Sequence, residues 1–434
     1  MVLFTVVAVA TVNSILTRPL IPRLRIARRY LWVLFTELVM NGIVGFAGQA
    51  AHHLGNRLET TTEEFGLTQS GWQTASSSWM DEPSGLATSD LLAPRSNRPL
   101  FVGVDDEEDA IFVLDVMPDA RSNRTKWLVV RAMLPLSWQK GSGRDEPVTK
   151  DLESIAYDRQ GRFYYALTSH RVGVRGSILC KLLKFKIPDS WETAGSEISI
   201  GSDDCTDLSA AGEGVSRLTL ANLVAWKAPG FSEPIWRQEK KEAKQKGKGD
   251  LEHKYQLEIE GLAYRDGYLY MGLKWPLDKD RRPLLLAYST ASGQFVAILS
   301  LDLSADPACG PGDWGIRTLD VFEDYLIVGA DQWTKDPGQC SLQAFSLTDI
   351  EAGVQAFRPP DAQGHSVAKA LKAVANVTAA LLPRNAFLEG IAIGDSDVIL
   401  GYDKPPAGTP LDLAATEKIR DRIKAATGAN QGTQ

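Results

Sequence analysis

Glu260-Gly261-Leu262-Ala263 recurs as Glu389-Gly390-Ile391-Ala392 and Glu153-Ser154-Ile155-Ala156, lengthens to Glu82-Pro83-Ser84-Gly85-Leu86-Ala87, and changes to Arg317-Thr318-Leu319-Asp320. Each copy is followed by a turn-forming stretch and then a second apolar run, the pattern of an antiparallel hairpin. Between and beyond the copies, short β-branched or aromatic runs such as Phe101 to Val104, Phe163 to Leu167 and Tyr325 to Val328 are bounded by Gly, Asp or Pro. Hairpins repeated at long intervals predict an all-β chain folded as a β-propeller of five or six blades. Five inner hairpins are recognisable, and the 107 residues from Glu153 to Glu260 leave room for a sixth. Few strand signals follow Asp403, so the segment before Glu82 is expected to supply outer strands of the last blade.

In a propeller the innermost strand lines the channel and the next returns antiparallel to it. A residue opening the first strand therefore faces one near the end of the second, mirrored about the turn. Mirroring Glu260 about Gly267 gives Lys274, Arg317 about Asp324 gives Asp331, and Glu389 about Ser396 gives Asp403, each fourteen residues apart. The same operation takes Glu153 to His170. Aligning Val102-Gly103-Val104 with Val328-Gly329-Ala330 assigns Asp105 to the first hairpin. The expectation is two polar rings at one channel mouth: Glu82, Glu153, Glu260, Arg317 and Glu389, beside Asp105, His170, Lys274, Asp331 and Asp403.

Crowded carboxylates repel one another. They protonate, pair with a cation such as Arg317 or Lys274, or bind a hard metal, for which Ca²⁺ is the best match. Alternatively each glutamate accepts hydrogen bonds from the neighbouring blade and holds the ring closed. On the chemical reading His170, Lys274 and Arg317 are the catalytic candidates. Glu82, Glu153, Glu260 and Glu389 are the metal ligands, and Asp105, Arg171, Asp331 and Asp403 touch substrate. A net charge of −7 argues against a nucleic-acid surface. The chain has no G-x-S-x-G elbow, H-E-x-x-H pair or phosphate-binding glycine loop.

The phrases Asp151-Leu-Glu-Ser-Ile-Ala-Tyr-Asp with Thr168-Ser-His, Ile259-Glu-Gly-Leu-Ala with Gly272-Leu-Lys, Gly315-Ile-Arg and Leu388-Glu-Gly-Ile-Ala resemble a bacterial propeller family catalogued as a domain of unknown function. The likeness covers roughly Asp81 to Lys404. More distantly the chain is similar to phytase-like, or esterase-like, propellers and to calcium-dependent lactonase propellers, in which a glutamate opening an inner strand can ligate metal. That resemblance implies a phosphate- or carboxylic-ester hydrolase with Ca²⁺ held by Glu82, Glu153, Glu260 and Glu389. Arg317, and Ser154 in place of glycine, depart from the pattern. The competing expectation is a non-catalytic module that binds a small molecule or a protein.

Outside the repeats, Arg23, Arg25, Arg28 and Arg29 precede an apolar run from Leu31 to Ala47, with Gly48-Gln49-Ala50 beyond it. Residues 1–50 are therefore an export signal or a membrane anchor, placing the protein in the periplasm or outside the cell, or on a membrane. Residues 51–80 form a linker or edge strand, 81–404 the propeller, and 405–434 a C-terminal helix and tail. The propeller is expected to be a monomer. The lysine-rich stretch 237–254 has no apolar face and predicts a solvated loop. Helices are expected from Ser366, with Val367, Ala370, Leu371 and Val374 on one face, and from Thr409, with Ala415, Ile419 and Ile423 on a stripe that ends before Gly428. Four cysteines permit pairs Cys180 with Cys205 and Cys309 with Cys340.

Overall fold

In the inner strand of each repeat, apolar side chains occupy successive positions, so both sheet faces are buried, as stacked blades require. Leu262 packs toward the preceding blade and its neighbour Ala263 toward the following one. The computed structural model describes residues 64–65, 83–94, 97–105, 110–119, 122–138, 152–168, 171–172, 178–179, 181–193, 195–208, 258–275, 277–278, 280–306, 314–332, 340–357, 370–382, 387–402 and 411–431. All lie in one compact unit, Glu63–Gln434. Residues 1–50, expected to be an export signal or anchor, the stretch 237–254, Cys180 and Cys309 lie outside the described residues, so neither expected cysteine pair is described. Among the described residues no helix is long and apolar enough to cross a membrane.

The strands form a five-bladed β-propeller. Blade 1 runs outward through Pro83–Leu92, Pro99–Asp105, Ala110–Asp119 and Ser122–Trp138; blade 2 through Leu152–Asp158, Phe163–Thr168, Lys181–Phe185 and Cys205–Asp207. Blade 3 contains Glu258–Arg265, Tyr268–Trp275, Leu284–Ser289 and Gln294–Asp302, extended by Leu371–Lys372. Blade 4 contains Trp314–Phe322, Tyr325–Gln332, Cys340–Ser346 and Ala375–Asn376. Blade 5 has three strands, Leu388–Ile393, Asp397–Tyr402 and Leu411–Ala415. Each inner strand contacts the next around the ring, and the last contacts the first. Five apolar cores, one between each pair of adjacent blades, fill the ring. The direct packing of blade 2 on blade 3, through Ala156, Tyr165, Leu262 and Leu269, leaves no place for a sixth blade.

Three expectations are corrected. Glu64–Phe65 pairs with the outer strand of blade 1, not with blade 5, whose third strand comes from Leu411–Ala415. Pairing with Asp397–Gly401 satisfies that segment's backbone, so the helix expected from Thr409 begins at Glu417 instead; it is α3, Glu417–Gln431. Ile419 and Ile423 are buried on it as the stripe predicted, whereas Ala415 is in the strand and Gly428 lies within the helix. The helix expected from Ser366 is replaced at Leu371–Lys372 and Ala375–Asn376 by edge strands of blades 3 and 4. Open sheet edges offer that backbone more partners than a four-residue apolar stripe offers a helix. Two helices not foreseen are α1, Leu347–Ala356, whose Ser346 side chain accepts the Asp349 N–H, and the short α2, Thr378–Leu381. Lys126 of blade 1 pairs with Asp397 of blade 5 across the seam where the chain closes the ring.

Candidate functional site

The repeated phrase marks a β-bulge. In blade 3, Ile259 pairs with Leu273 and Gly261 with Gly272, which leaves Glu260 as the extra residue; Lys274 is likewise extra on the returning strand. The same shift isolates Glu153 in blade 2, Arg317 in blade 4 and Glu389 in blade 5. A bulge breaks the strict alternation of a strand and re-aims one side chain. Here it turns a charged residue out of the apolar inter-blade faces. In blade 1 the bulged residue is Ser84, because Pro83 pairs with Asp105 and Gly85 with Val104. Glu82, expected at this position, precedes the bulge and lies outside the described residues.

The bulge that opens each phrase also resets the partner ring. Asp105 stands opposite Pro83 as Ala330 stands opposite Ile316, so it matches Ala330 and not Asp331. Leu152 pairs with Thr168, which makes position 169, not His170, the equivalent of Asp331. Asp105 is buried in blade 1. His170 and Asp403 lie outside the described residues, and Arg171 is described only as backbone in a small hairpin of blade 2. Glu153 is half-buried at its bulge.

Five of the expected residues converge. Glu260 Oε1 accepts from Lys274 Nζ at 2.5 Å and Glu260 Oε2 from Arg317 Nη1 at 2.6 Å. Arg317 Nε donates to Asp331 Oδ2 at 2.8 Å, and its Nη1 lies 2.9 Å from Glu389 Oε1. One guanidinium thus ties blades 3, 4 and 5 together. The side chains are 4–17% exposed, so these charges interact with little solvent screening. The backbones are equally close: a Cβ on Gly315 would lie 2.5 Å from the Lys274 carbonyl oxygen.

Among the described residues the cluster sets three carboxyl groups against two cations, and it does not favour every carboxylate equally. Burial raises the pKa of Glu260, but the opposing pull of Arg317 and Lys274 outweighs it and leaves that group lowered. Glu389 meets the same guanidinium from farther out, and burial together with the Glu260 charge pushes it up to about 8. Burial also raises Asp331. Arg317, in spite of its burial, is held firmly protonated by Glu260, Glu389 and Asp331. Asp331 Oδ1 is buried and has no hydrogen-bond partner among the described residues.

Ca²⁺ takes six to eight oxygen ligands. Between Glu260 and Glu389 the central position is held by the Arg317 guanidinium, so these carboxylates do not fit the ion as they stand. Among the described residues no three His, Cys, Asp or Glu side chains are arranged to hold a metal.

At the opposite end of the inner strands the hairpin turns surround a second feature, a cavity of about 820 Å³ reached by all five blades. On its wall is Asp320, which stands where the other four phrases carry alanine. Its Oδ2 accepts the Ile393 N–H of blade 5 at 2.6 Å and its Oδ1 the Val321 N–H at 2.7 Å. Burial pushes its pKa up to about 7. Neither Ser84 nor Asp320 was picked out from the sequence; both were legible as departures from the repeated phrase.

No family model and no curated protein matches the chain. Solved structures with a likeness include the luciferin-regenerating enzyme, 10% identical over 77% of this chain and 90% of that one, with a TM-score of 0.33. The β-propeller domain of Cps50 (Swd1) from Myceliophteria thermophila is 10% identical over 77% and 84%, at 0.31. A europium-containing methanol dehydrogenase is 9% identical and is covered over 21% of its length by 43% of this chain, at 0.19. At such scores the likeness says nothing about what this chain binds. Its own sheets and ring closure define it as a five-bladed β-propeller.

Proposed function

We propose that the protein is an exported propeller that binds a small polar molecule, polyhydroxylated rather than strongly anionic, at the bulge-end mouth formed by Glu260, Lys274, Arg317, Asp331 and Glu389. The observation that carries this is the buried Asp331 Oδ1, an acceptor left without a donor inside an otherwise paired cluster. A buried acceptor in that state costs about 1–3 kcal/mol, which a ligand hydroxyl would recover once a small opening of the mouth admits it. The electrostatics favour the same class. Both cations are already engaged by carboxylates, so an anion would have to break those pairs, while a neutral polyol need not. Export rests on the Arg-led apolar run at residues 23–47.

In a hydrolytic version, Glu389 carries a proton near neutral pH and would pass it to the leaving oxygen of an ester. Water adds its oxygen to the ester carbon or phosphorus, and the proton it releases returns to Glu389. Lys274 and Arg317 would offset the negative charge that builds up. The rival reading is a non-catalytic lock, supported by the way Arg317 bonds across three blades.

The test is calorimetric titration with inositol, glycerol and inorganic phosphate, followed by turnover assays on phosphate esters, lactones and carboxylic esters. Polyol binding that is lost in Asp331→Asn would support the site. No binding by a folded protein would leave the lock. Calcium is tested in parallel: a melting temperature higher in Ca²⁺ than in chelator, with the difference abolished in Glu153→Gln, would support a metal on the blade 2 side of the mouth.

A further inference from the structure

The cavity at the turn end belongs to a different part of the channel from the cluster above, and its chemistry is different. It is built from the last residues of the inner strands and the turns after them, including Thr88, Tyr157, Tyr264, Asp320 and Ile393. Its volume of about 820 Å³ falls within the ~300–1,000 Å³ of small-molecule sites. Five carboxylates line it against three arginines. Two of those arginines are occupied: Arg265 binds Asp266 at 2.8 Å, and Arg420 binds Glu323 at 2.9 Å and Glu417 at 2.5 Å. The third, Arg159, is exposed on the blade 2 turn.

Asp320 differs from the other acids in this wall. Among the described residues no cation pairs with it; its partners are two backbone N–H groups, one on each oxygen. Each oxygen therefore keeps acceptor capacity. The group is partly desolvated, without a compensating charge, and its raised pKa expresses that deficit. A positive ligand would remove the deficit. A metal ion is a poor occupant, because among the described residues Asp320 belongs to no group of three His, Cys, Asp or Glu side chains that could hold one. An organic ammonium needs only one carboxylate and aromatic or apolar walls. Tyr157 and Tyr264 supply aromatic surface in the same cavity, whereas the Phe322 ring is already faced by the Arg420 guanidinium.

We propose that the turn-end cavity is a binding site for a small organic ammonium ion, with Asp320 as its counter-charge and Tyr157 and Tyr264 as its aromatic wall. The site is independent of the bulge-end mouth, so either can fail without the other.

The experiment titrates the whole protein with tetramethylammonium and with putrescine at pH 8, using sodium chloride at matched ionic strength and sorbitol as controls. Saturable binding of an ammonium probe, weakened at least tenfold in Asp320→Asn and unchanged in Glu389→Gln, is the expected result. A second readout needs no variant. The Ile393 amide, bonded to Asp320, should shift in a nuclear magnetic resonance titration with the same midpoint. The proposal is overturned if neither probe binds, if Asp320→Asn binds as well as the parent, if the Ile393 amide does not move, or if sorbitol binds there equally.

Discussion

The two ends of the channel are built from the same strands, yet they treat charge in opposite ways. At the bulge end a guanidinium is set among carboxylates, and nearly every charge has a partner. At the turn end one of the five carboxylates on the cavity wall, Asp320, has only backbone N–H groups as partners among the described residues. Both features come from blade 4. Its phrase, Arg317-Thr318-Leu319-Asp320, replaces the glutamate at the start with arginine and the alanine at the end with aspartate. Three residues apart on one strand, the two changes put positive charge at one mouth and negative charge at the other. The lesson is that the repeat defines the frame, and the blade that departs from it defines the chemistry.

The largest effect should come from removing the centre of the bulge-end cluster. Arg317→Met leaves Glu260, Glu389 and Asp331 without their shared cation inside a water-poor site. Breaking a buried pair on one side costs about 3–5 kcal/mol, and urea unfolding at pH 7 should register a loss of that order. Adding Glu260→Gln and Glu389→Gln should recover part of it. A loss below about 1 kcal/mol would mean that the cluster is solvated and the contrast between the two ends is false.

Next comes packing at the same end. Gly315→Ala would bring a Cβ to 2.5 Å from the Lys274 carbonyl oxygen and 2.9 Å from its Cα, both backbone atoms that cannot turn aside. Overpacking of this kind costs about 1–3 kcal/mol. The same change at Gly428 in α3, where nothing lies within 4 Å, should be neutral or slightly stabilising. Equal effects at the two glycines would sink the claim of close blade approach.

The pH dependence separates the carboxyl groups by sign, and the division runs through the bulge-end cluster itself. Glu389 goes from an ordinary 4.5 to about 8 in the folded protein, and Asp320 from 3.8 to about 7. A carboxyl whose folded pKa is raised favours the fold fully below its unfolded value. That contribution is lost as pH rises through the folded value. Stability should therefore fall between about pH 4.5 and 8, with a slope of at most about 1.4 kcal/mol per pH unit for each proton. Glu260 is lowered, so its contribution is lost in acid instead, as pH falls through its folded value. Glu389→Gln should flatten the curve on the alkaline side only. Parallel curves for the parent and the variant from pH 5 to 8 would remove Glu389 as a proton carrier.

Part of this was legible in the sequence for a physical reason. Pairs fourteen residues apart, Glu260 with Lys274 and Arg317 with Asp331, meet because a two-residue turn and a bulge are both local features of the hairpin. Asp266 and Gly267 show the turn directly, with φ of +47° and +85°. What failed was the part that depends on counting residues across a bulge or a longer turn. Pro83 displaced the reading of blade 1 by two residues, from Ser84 to Glu82, and the four-residue turn of blade 2, where blades 3 and 4 have two, carried the mirror on to His170. Between blades, the pairing of ring carboxylates with Arg317 was legible, but not which of them it reaches. That Arg317 reaches Glu389, or that Asp320 accepts from Ile393, depends on how strands 70 or more residues apart are placed side by side. The edge strands at Leu371 and Ala375 likewise depend on sheets already formed by other parts of the chain.

The smallest effect is expected away from both mouths, and it tests whether charge matters at the axis or wherever blades meet. Lys126 joins Asp397 across the seam between blades 1 and 5, much as Arg317 joins blades 3, 4 and 5. The difference is solvent: the Lys126 side chain is 34% exposed and that of Arg317 12%. Exposed pairs are worth about 0–1 kcal/mol, and salt screens them. Lys126→Ala should therefore lower stability by less than about 1 kcal/mol in dilute buffer and by less again in 1 M sodium chloride, whereas the Arg317→Met loss should change little with salt. If the seam pair costs as much as the axial one, inter-blade charge in general closes the ring, and the bulge-end cluster loses its distinction.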